Sequence, residues 1–266
     1  MTNNGKGIPP APQPMHAASQ SFQRRLFPIE ILHEYPNNQG SADLGLIVSA
    51  RDGRDYAVKR TTDGRGKIPA SEYLCYELAY RVLIPTPHYE LIKLSCGDLG
   101  FGSLWEGGVK KLSQQHEILE LLQGRIPVNG LPRFLSRVYA FDLFVNNEDR
   151  HWGNYIWRSS FDGNLVALAF DFSRACFETG HASYEAFEVN CNTQRAFKGI
   201  CLTNNYIRQE AIECLDDIGK IDSQDIGEIL DGMPAKWLSK SERQDYISWW
   251  DSKDRHDRIA YIKGRI

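Results

Sequence analysis

The stretch "FVNNEDRHWGNYIW", residues 144–157, sets Asp149, Arg150, His151 and Asn154 between aromatic side chains. Aromatic rings bury large apolar areas, while a core does not accept unpaired polar groups. Trp152, Tyr155 and Trp157 therefore read as packing anchors, and Asp149 and Asn154 as loop residues turned towards a cleft. Downstream, "NYIWRSSFDGNLVALAFDFS" (154–173) has two β-rich runs around Asp162-Gly163, a favoured hairpin turn. With that pair as the two central turn residues, Asn154 falls opposite Asp171, and cross-strand neighbours lie within about 5.5 Å. An amide and a carboxylate, with Asp149 close by, suit a hard cation such as magnesium, which keeps waters and favours phosphate oxygens. The pattern points to a nucleotide triphosphate.

Phosphoryl transfer also needs a cation on the phosphates and a cover over them. "LGLIVSARDGRDYAVKR" (44–60) reads as two strands around Asp52-Gly53, with Lys59 near the end of the second. The turn-rich loop at 37–45 enters that hairpin and is placed to cover phosphates. In "ASEYLCYELAYRV" (70–82), Leu74, Cys75, Leu78 and Val82 recur at helical spacing, and Pro85 stops the helix. Glu72 lies nearer that apolar face than Glu77 and is the better acidic partner for Lys59; Glu77 stays as the alternative. A further strand pair is expected at Tyr89–Lys93 and 101–105. After Gly107-Gly108 the pattern turns helical, with Phe134, Val138, Phe141 and Val145 on one face. The predicted class is α+β and two-lobed: a tail at 1–25, a small β-rich N-lobe at 26–106 and a mainly helical C-lobe at 107–266.

"NNEDRHWGN" followed by "LVALAFDFS" resembles the catalytic loop and metal-binding segment of HipA-like kinases, which share the order Asp-Arg-His with phosphoinositide kinases. "SEYLCYELAYRVLIPTP" is similar to the helix and apolar-Pro-x-Pro turn of the same family. The resemblance runs over roughly residues 40–265 and implies a protein-kinase-like fold using ATP and magnesium. By it, Asp149 orients the acceptor hydroxyl and takes its proton, while Asn154 and Asp171 hold magnesium. Lys59 contacts the α and β phosphates and pairs with Glu72. The stretch 103–106, with Ser103, Trp105 and Glu106, is the hinge that meets adenine; Gly40 and Ser41 cover phosphates. Arg150 and His151 brace the loop or neutralise developing charge. The sequence departs from ordinary protein kinases in its thin phosphate loop, with Gly40 and Gly45 alone, and in Asp-Phe-Ser for Asp-Phe-Gly. It is also too short for the extra N-terminal subdomain of full-length HipA toxins, which weakens the case for a toxin–antitoxin role.

Composition narrows the partners. The 266 residues carry a net charge of -3, so there is no global electrostatic case for nucleic acid. No run approaches the roughly 18 apolar residues of a membrane span, and the start lacks a signal-peptide pattern. Six scattered cysteines without a C-x-x-C pair argue against zinc and a disulfide framework, and for a reducing cytoplasm. The leading expectation is a kinase acting on a protein Ser or Thr. A lipid or small-molecule kinase and a nucleotide-binding pseudokinase acting as an interaction module are the alternatives. Phosphate on Ser41 would place negative charge where ATP phosphates bind, so autophosphorylation there would inhibit. The oligomeric state and the acceptor are not encoded in these patterns.

Overall fold

The structure, a computed structural model, describes residues 27–36, 46–112 and 114–266. The Pro-rich tail at 1–25 and the loop residues Gly40, Ser41 and Gly45 lie outside the described residues, and the expectations placed on them with it.

The β-rich N-terminal part contains β1 (Ile29–Pro36), β2 (Leu46–Ala50), β3 (Asp55–Lys59), α1 (Ile68–Arg81), β4 (Tyr89–Lys93) and β5 (Leu99–Leu104). The strands close a barrel in the order β1-β2-β3-β5-β4, sealed where β1 runs parallel to β4, Ile29 beside Ile92. Sequence patterning locates the other four strands but not β1, whose pairing closes the sheet. Alternate inward residues, among them Val48, Tyr56, Val58 and Ile92, fill the interior. The barrel is narrow: a side chain at Gly100 would meet Val58 Cγ1 at 2.5 Å, so β5 is glycine where it crosses β3.

Helix α1 is buried on nearly every side. Its apolar residues join the core of the helical part rather than the barrel interior. It ends in a Schellman turn, with Leu83 left-handed at φ 57° and the Ile84 N–H donating to the Ala79 carbonyl at 2.9 Å, before Pro85 prevents continuation.

The C-terminal part runs through α2 (Gln115–Leu122), α3 (Leu131–Phe144), the hairpin β6 (Tyr155–Ser159) and β7 (Leu165–Ala169), α4 (Cys176–Thr179) and α5 (Asn192–Leu202). It closes with α6 (Arg208–Lys220), α7 (Ser223–Asp231), α8 (Lys240–Trp250) and α9 (Lys253–Arg265). Phe134, Val138 and Phe141 are buried on α3, as their spacing predicts. The connector between α7 and α8 straps the two parts together. Trp237 is buried there and donates its Nε1–H to the Leu99 carbonyl at 3.1 Å, while Lys236 meets Asp98 at 2.7 Å. From the start of α8, Glu242 accepts from Lys67 at 2.6 Å, a contact that, with the Ser239 backbone N–H, draws the Glu242 carboxyl down to about 2.

Both Asp-Gly hairpins use the same turn, and it is one residue longer than expected. In the first, the Gly53 N–H donates to Ala50 at 3.0 Å and the Ala50 N–H to Arg54 at 2.8 Å. In the second, Gly163 donates to Ser160 at 3.2 Å and Ser160 to Asn164 at 2.9 Å. Each is a three-residue loop whose glycine sits left-handed, at φ 78° and 84°, the type I turn with a glycine bulge. The extra residue shifts the register of the second hairpin. Tyr155 faces Ala169, so Asn154 lies opposite Phe170 and Asp171 falls one position beyond, not directly across.

A titrating group packs against the helical core. His181 packs its ring edge-on against Tyr246 and Trp249, with centroids 4.9 and 4.7 Å away. Burial, helped by the Arg258 guanidinium and opposed by Asp245, pulls its pKa down to about 4. A folded pKa below the ordinary 6.5 means that protons bind the unfolded chain first. Stability is therefore full above about pH 6.5 and falls as pH drops towards 4. Denaturant titrations are expected to show about 2 kcal/mol less stability at pH 5 than at pH 7 from this group. His181→Phe should flatten that slope; an unchanged slope would remove His181 as its source.

Candidate active site

The 144–157 stretch leaves α3 and enters β6 through a loop that is pinned from inside. Arg150 is the pin. Its Nε donates to Asp142 Oδ2 at 2.8 Å and its NH2 to Asp142 Oδ1 at 3.0 Å, a bidentate pair in which the side chains are 2% and 0% exposed. Its NH1 donates to the carbonyls of Asn154 at 2.9 Å and Phe170 at 2.6 Å. The guanidinium also lies over the Phe172 ring, 4.7 Å from its centre. Burial works against the Arg150 charge, but the Asp142 carboxylate overcomes it and raises the pKa above the ordinary arginine value. Burial pushes Asp142 up, against the pull of Arg150. Asn147 supplies another donor to Asp142, at 2.8 Å. Arg150 thus braces the loop. His151 braces it more lightly, its Nδ1 accepting from the Gly153 N–H at 3.1 Å.

This pinning sets Asp149 and Asn154 on the cleft side. The Asn154 Nδ2 donates to the Asp149 backbone carbonyl at 2.9 Å, which leaves the amide oxygen available as an acceptor or a ligand. Asp149 accepts from the Asn192 side chain through Oδ1.

Asp171 follows β7 with φ 57°, a left-handed conformation that Asp tolerates better than most residues. Its Oδ1 accepts from the Ser173 hydroxyl at 2.6 Å and the Ser173 N–H at 3.3 Å, and from Lys59 Nζ at 3.4 Å. Burial alone would raise its pKa, yet Lys59 and Ser173 outweigh that and hold the carboxyl below its usual range. The serine that replaces glycine after Asp-Phe is therefore a working hydrogen-bond donor.

Lys59 ends β3, beside Phe101 of β5. Among the described residues its ion pair is with Asp171 rather than Glu72. Glu72 nonetheless faces the same space. Both of its carboxylate oxygens are buried, with no side-chain donor on them and the Phe172 backbone N–H nearby. Burial first, then the Asp171 charge, pushes it up to about 8, with Lys59 pulling the other way. Glu77 is engaged elsewhere, with Arg81 at 2.7 Å and the Tyr89 hydroxyl.

Ser103 lies in β5 and its hydroxyl meets that of Tyr76 at 2.9 Å. Within 103–106, the N–H groups of Leu104 and Trp105 already serve the carbonyls of His88 and Asp55, at 2.7 and 2.8 Å. An adenine would have to meet the remaining groups of the stretch. Trp105 is 46% exposed, and Glu106 pairs with Arg158 at 3.3 Å.

Lys59, Glu72, Asp149, Asn154 and Asp171, together with Ser103, Trp105 and Glu106, line one cleft of about 810 Å³. The site residues read from the sequence thus share a wall, apart from Gly40 and Ser41 outside the described residues. Sequence reading missed the Asn192 contact. Nothing in the local pattern marks Asn192, 43 positions after Asp149. Among the described residues no cluster of three or more His, Cys, Asp or Glu forms a metal site, no helix is long and apolar enough to cross a membrane, and the six cysteines are unbonded.

No family model matches the chain, and no curated protein does. Among solved structures it is similar to a Helicobacter pylori proinflammatory kinase, CtkA, with a TM-score of 0.55 and 14% identity, over 90% of this chain and 98% of that one. A slighter likeness, TM-score 0.48 and 11% identity, links 79% of this chain with 60% of HipA from a Shewanella oneidensis MR-1 toxin–antitoxin complex with HipB and operator DNA. The chain has the fold of the CtkA kinase over nearly the full length of both, in line with the HipA-like resemblance of its motifs.

Proposed function

We propose that the protein is an ATP- and magnesium-dependent phosphotransferase that moves the γ-phosphoryl group of ATP to a protein Ser or Thr hydroxyl. The observation that carries the reading is the convergence of Lys59, Glu72, Asp149, Asn154 and Asp171 on one cleft. These five residues come from β3, α1, the loop after α3 and the segment after β7. In this reading residues 26–106 form the N-lobe and 107–266 the C-lobe, with ATP between them and adenine at 103–106.

Asn154 and Asp171 would hold magnesium, and the donor set fits. One amide oxygen and one carboxylate held ionised are a hard, partial ligand shell of the kind completed by phosphates and water. When bound, the ion would neutralise charge on the phosphates. Lys59 would grip the α and β phosphates, and the buried Glu72, which carries no side-chain donor, would take up the ammonium. Asp149 would orient the acceptor hydroxyl and receive its proton as the new P–O bond forms and ADP leaves. Arg150 holds the loop on which these groups stand.

The lipid alternative calls for a basic, apolar rim. Exposed Trp105 and Val109 with Lys110 and Lys111 do line the cleft. That strip directly follows 103–106, the stretch this reading gives to adenine, so it is not by itself a sign of a lipid acceptor.

Incubation with γ-labelled ATP, magnesium and a phosphatase-treated lysate tests the reading. The wild type should label protein, and Asp149→Ala should lose the label by about 100-fold or more. Labelling that survives in Asp149→Ala removes the mechanism. Labelling confined to lipid extracts moves the acceptor class. ATP binding without any transfer supports the pseudokinase alternative.

A further inference from the structure

We infer that Asn192 is a positioning residue for phosphoryl transfer, holding the Asp149 carboxylate by one oxygen so that the other faces the acceptor; this rests on the kinase reading above. Asn192 opens α5, and its Nδ2 donates to Asp149 Oδ1. Among the described residues no other group bonds to that carboxylate, so Oδ2 is left for an incoming hydroxyl. On the far side of the Asn192 amide, Oδ1 faces Arg195 NH1, one helical turn on, at 3.5 Å, consistent with Nδ2 being turned to Asp149.

The next residue anchors the backbone of the same loop. Thr193 is buried, and its Oγ1 donates to the Asn147 carbonyl at 2.5 Å and accepts from the Arg150 N–H at 3.0 Å. The Thr193 N–H donates to the Glu148 carbonyl at 3.2 Å. Residues 147–150 are therefore fixed to the first turn of α5 at three backbone points, and the Asp149 side chain at a fourth. Consecutive helix positions have a fixed spacing, so the Thr193 contacts dictate where the Asn192 amide stands. Asp142 and Arg150 brace the loop from the core side; α5 braces it from the acceptor side.

The chemistry favours an amide here. A carboxylate free to rotate about its χ angles spends part of its time misaligned, and positioning of a reacting group contributes strongly to rate. A neutral donor fixes the rotamer without setting a positive charge against the group that must take a proton.

Two substitutions separate this role from a structural one. Asp is well tolerated at the start of a helix, so Asn192→Asp should preserve α5 while replacing the donor by a like charge. Asn192→Ala removes the donor alone. The full chain is assayed with γ-labelled ATP, magnesium and the phosphatase-treated lysate, and ATP binding is followed separately by thermal shift. Asn192→Ala is expected to cut the maximal transfer rate by about 10–100-fold, with the half-saturating ATP concentration and the ATP-induced shift unchanged. Asn192→Asp should lose at least as much while melting as the wild type does. Wild-type transfer by Asn192→Asp, or a loss in Asn192→Ala that lies wholly in ATP affinity, overturns the assignment while leaving the kinase reading intact. A wild type that transfers no phosphate overturns the kinase reading, and this assignment with it.

Discussion

Asp171→Asn is expected to abolish phosphoryl transfer while leaving the fold in place. Asparagine tolerates the left-handed φ of 57° found at this position. Its amide oxygen can still accept from the Ser173 hydroxyl, now 2.6 Å from Asp171 Oδ1. What disappears is the negative charge that Lys59 and Ser173 hold ionised against burial. On the proposed mechanism Asn154 alone would then face the cation, and transfer at saturating ATP should fall on the order of 1,000-fold. The part of the ATP thermal shift that depends on magnesium should vanish with it, while the magnesium-independent part persists through Lys59. Removing the Asp171 charge also removes one of the two main causes that raise Glu72, so its pKa should fall back from about 8. Near-wild-type transfer in Asp171→Asn would show that this carboxylate is not a ligand in the reaction.

Arg150→Ala should be among the most destabilising single substitutions in the chain. It leaves the wholly buried Asp142 carboxylate without its bidentate partner and strips the Asn154 and Phe170 carbonyls of a donor. Orphaning one member of a buried pair costs about 3–5 kcal/mol, chiefly through the desolvated charge left behind. For a chain of this size that corresponds to a melting temperature lower by roughly 10 °C. The double variant Asp142→Leu with Arg150→Met removes both charges and should recover a good part of the loss. Chemical denaturation of the three proteins checks this. Equal stability of Arg150→Ala and the wild type would mean that water reaches Asp142 and that the pair is not a buried one. Activity should fall in both variants, since the loop carrying Asp149 and Asn154 is no longer pinned.

The legible part of the site was the part written next to local signals. Lys59 closes a strand after one Asp-Gly turn, and Asp171 follows a strand after another, so turn chemistry and alternation located both. Asp149 and Asn154 stood out because charged groups interrupt an aromatic run. The choice of Glu72 over Glu77 followed from the helical wheel, and Glu72 does line the cleft while Glu77 is spent on Arg81 and Tyr89. The register error had a local cause as well. Asp-Gly is compatible with two-residue and three-residue loops, and the glycine bulge chosen here moved Asp171 one place past Asn154.

Other features had no local signature at all. The strand β1 alternates weakly, with Leu32 and Tyr35 exposed, and becomes a strand by pairing with β2 and β4 on either side. Asn192 and Thr193 look like ordinary helix-start residues, and their contacts with residues 147–150 exist because α5 returns to the loop. Asp142 sits on a helix face with nothing in sequence to say that it is buried; its partner eight residues later decides that.

By itself the sequence determined which local elements form and where the chemistry-bearing groups stand relative to turns and helix faces. Those depend on backbone propensities and side-chain periodicity over a few residues. Only the tertiary structure decided that Lys59 meets Asp171 rather than Glu72, that Arg150 is spent on Asp142, and that Asn192 holds Asp149. Each of these outcomes is a competition among buried charges and donors drawn from distant segments, settled by distance and desolvation, which no stretch of chain can encode alone.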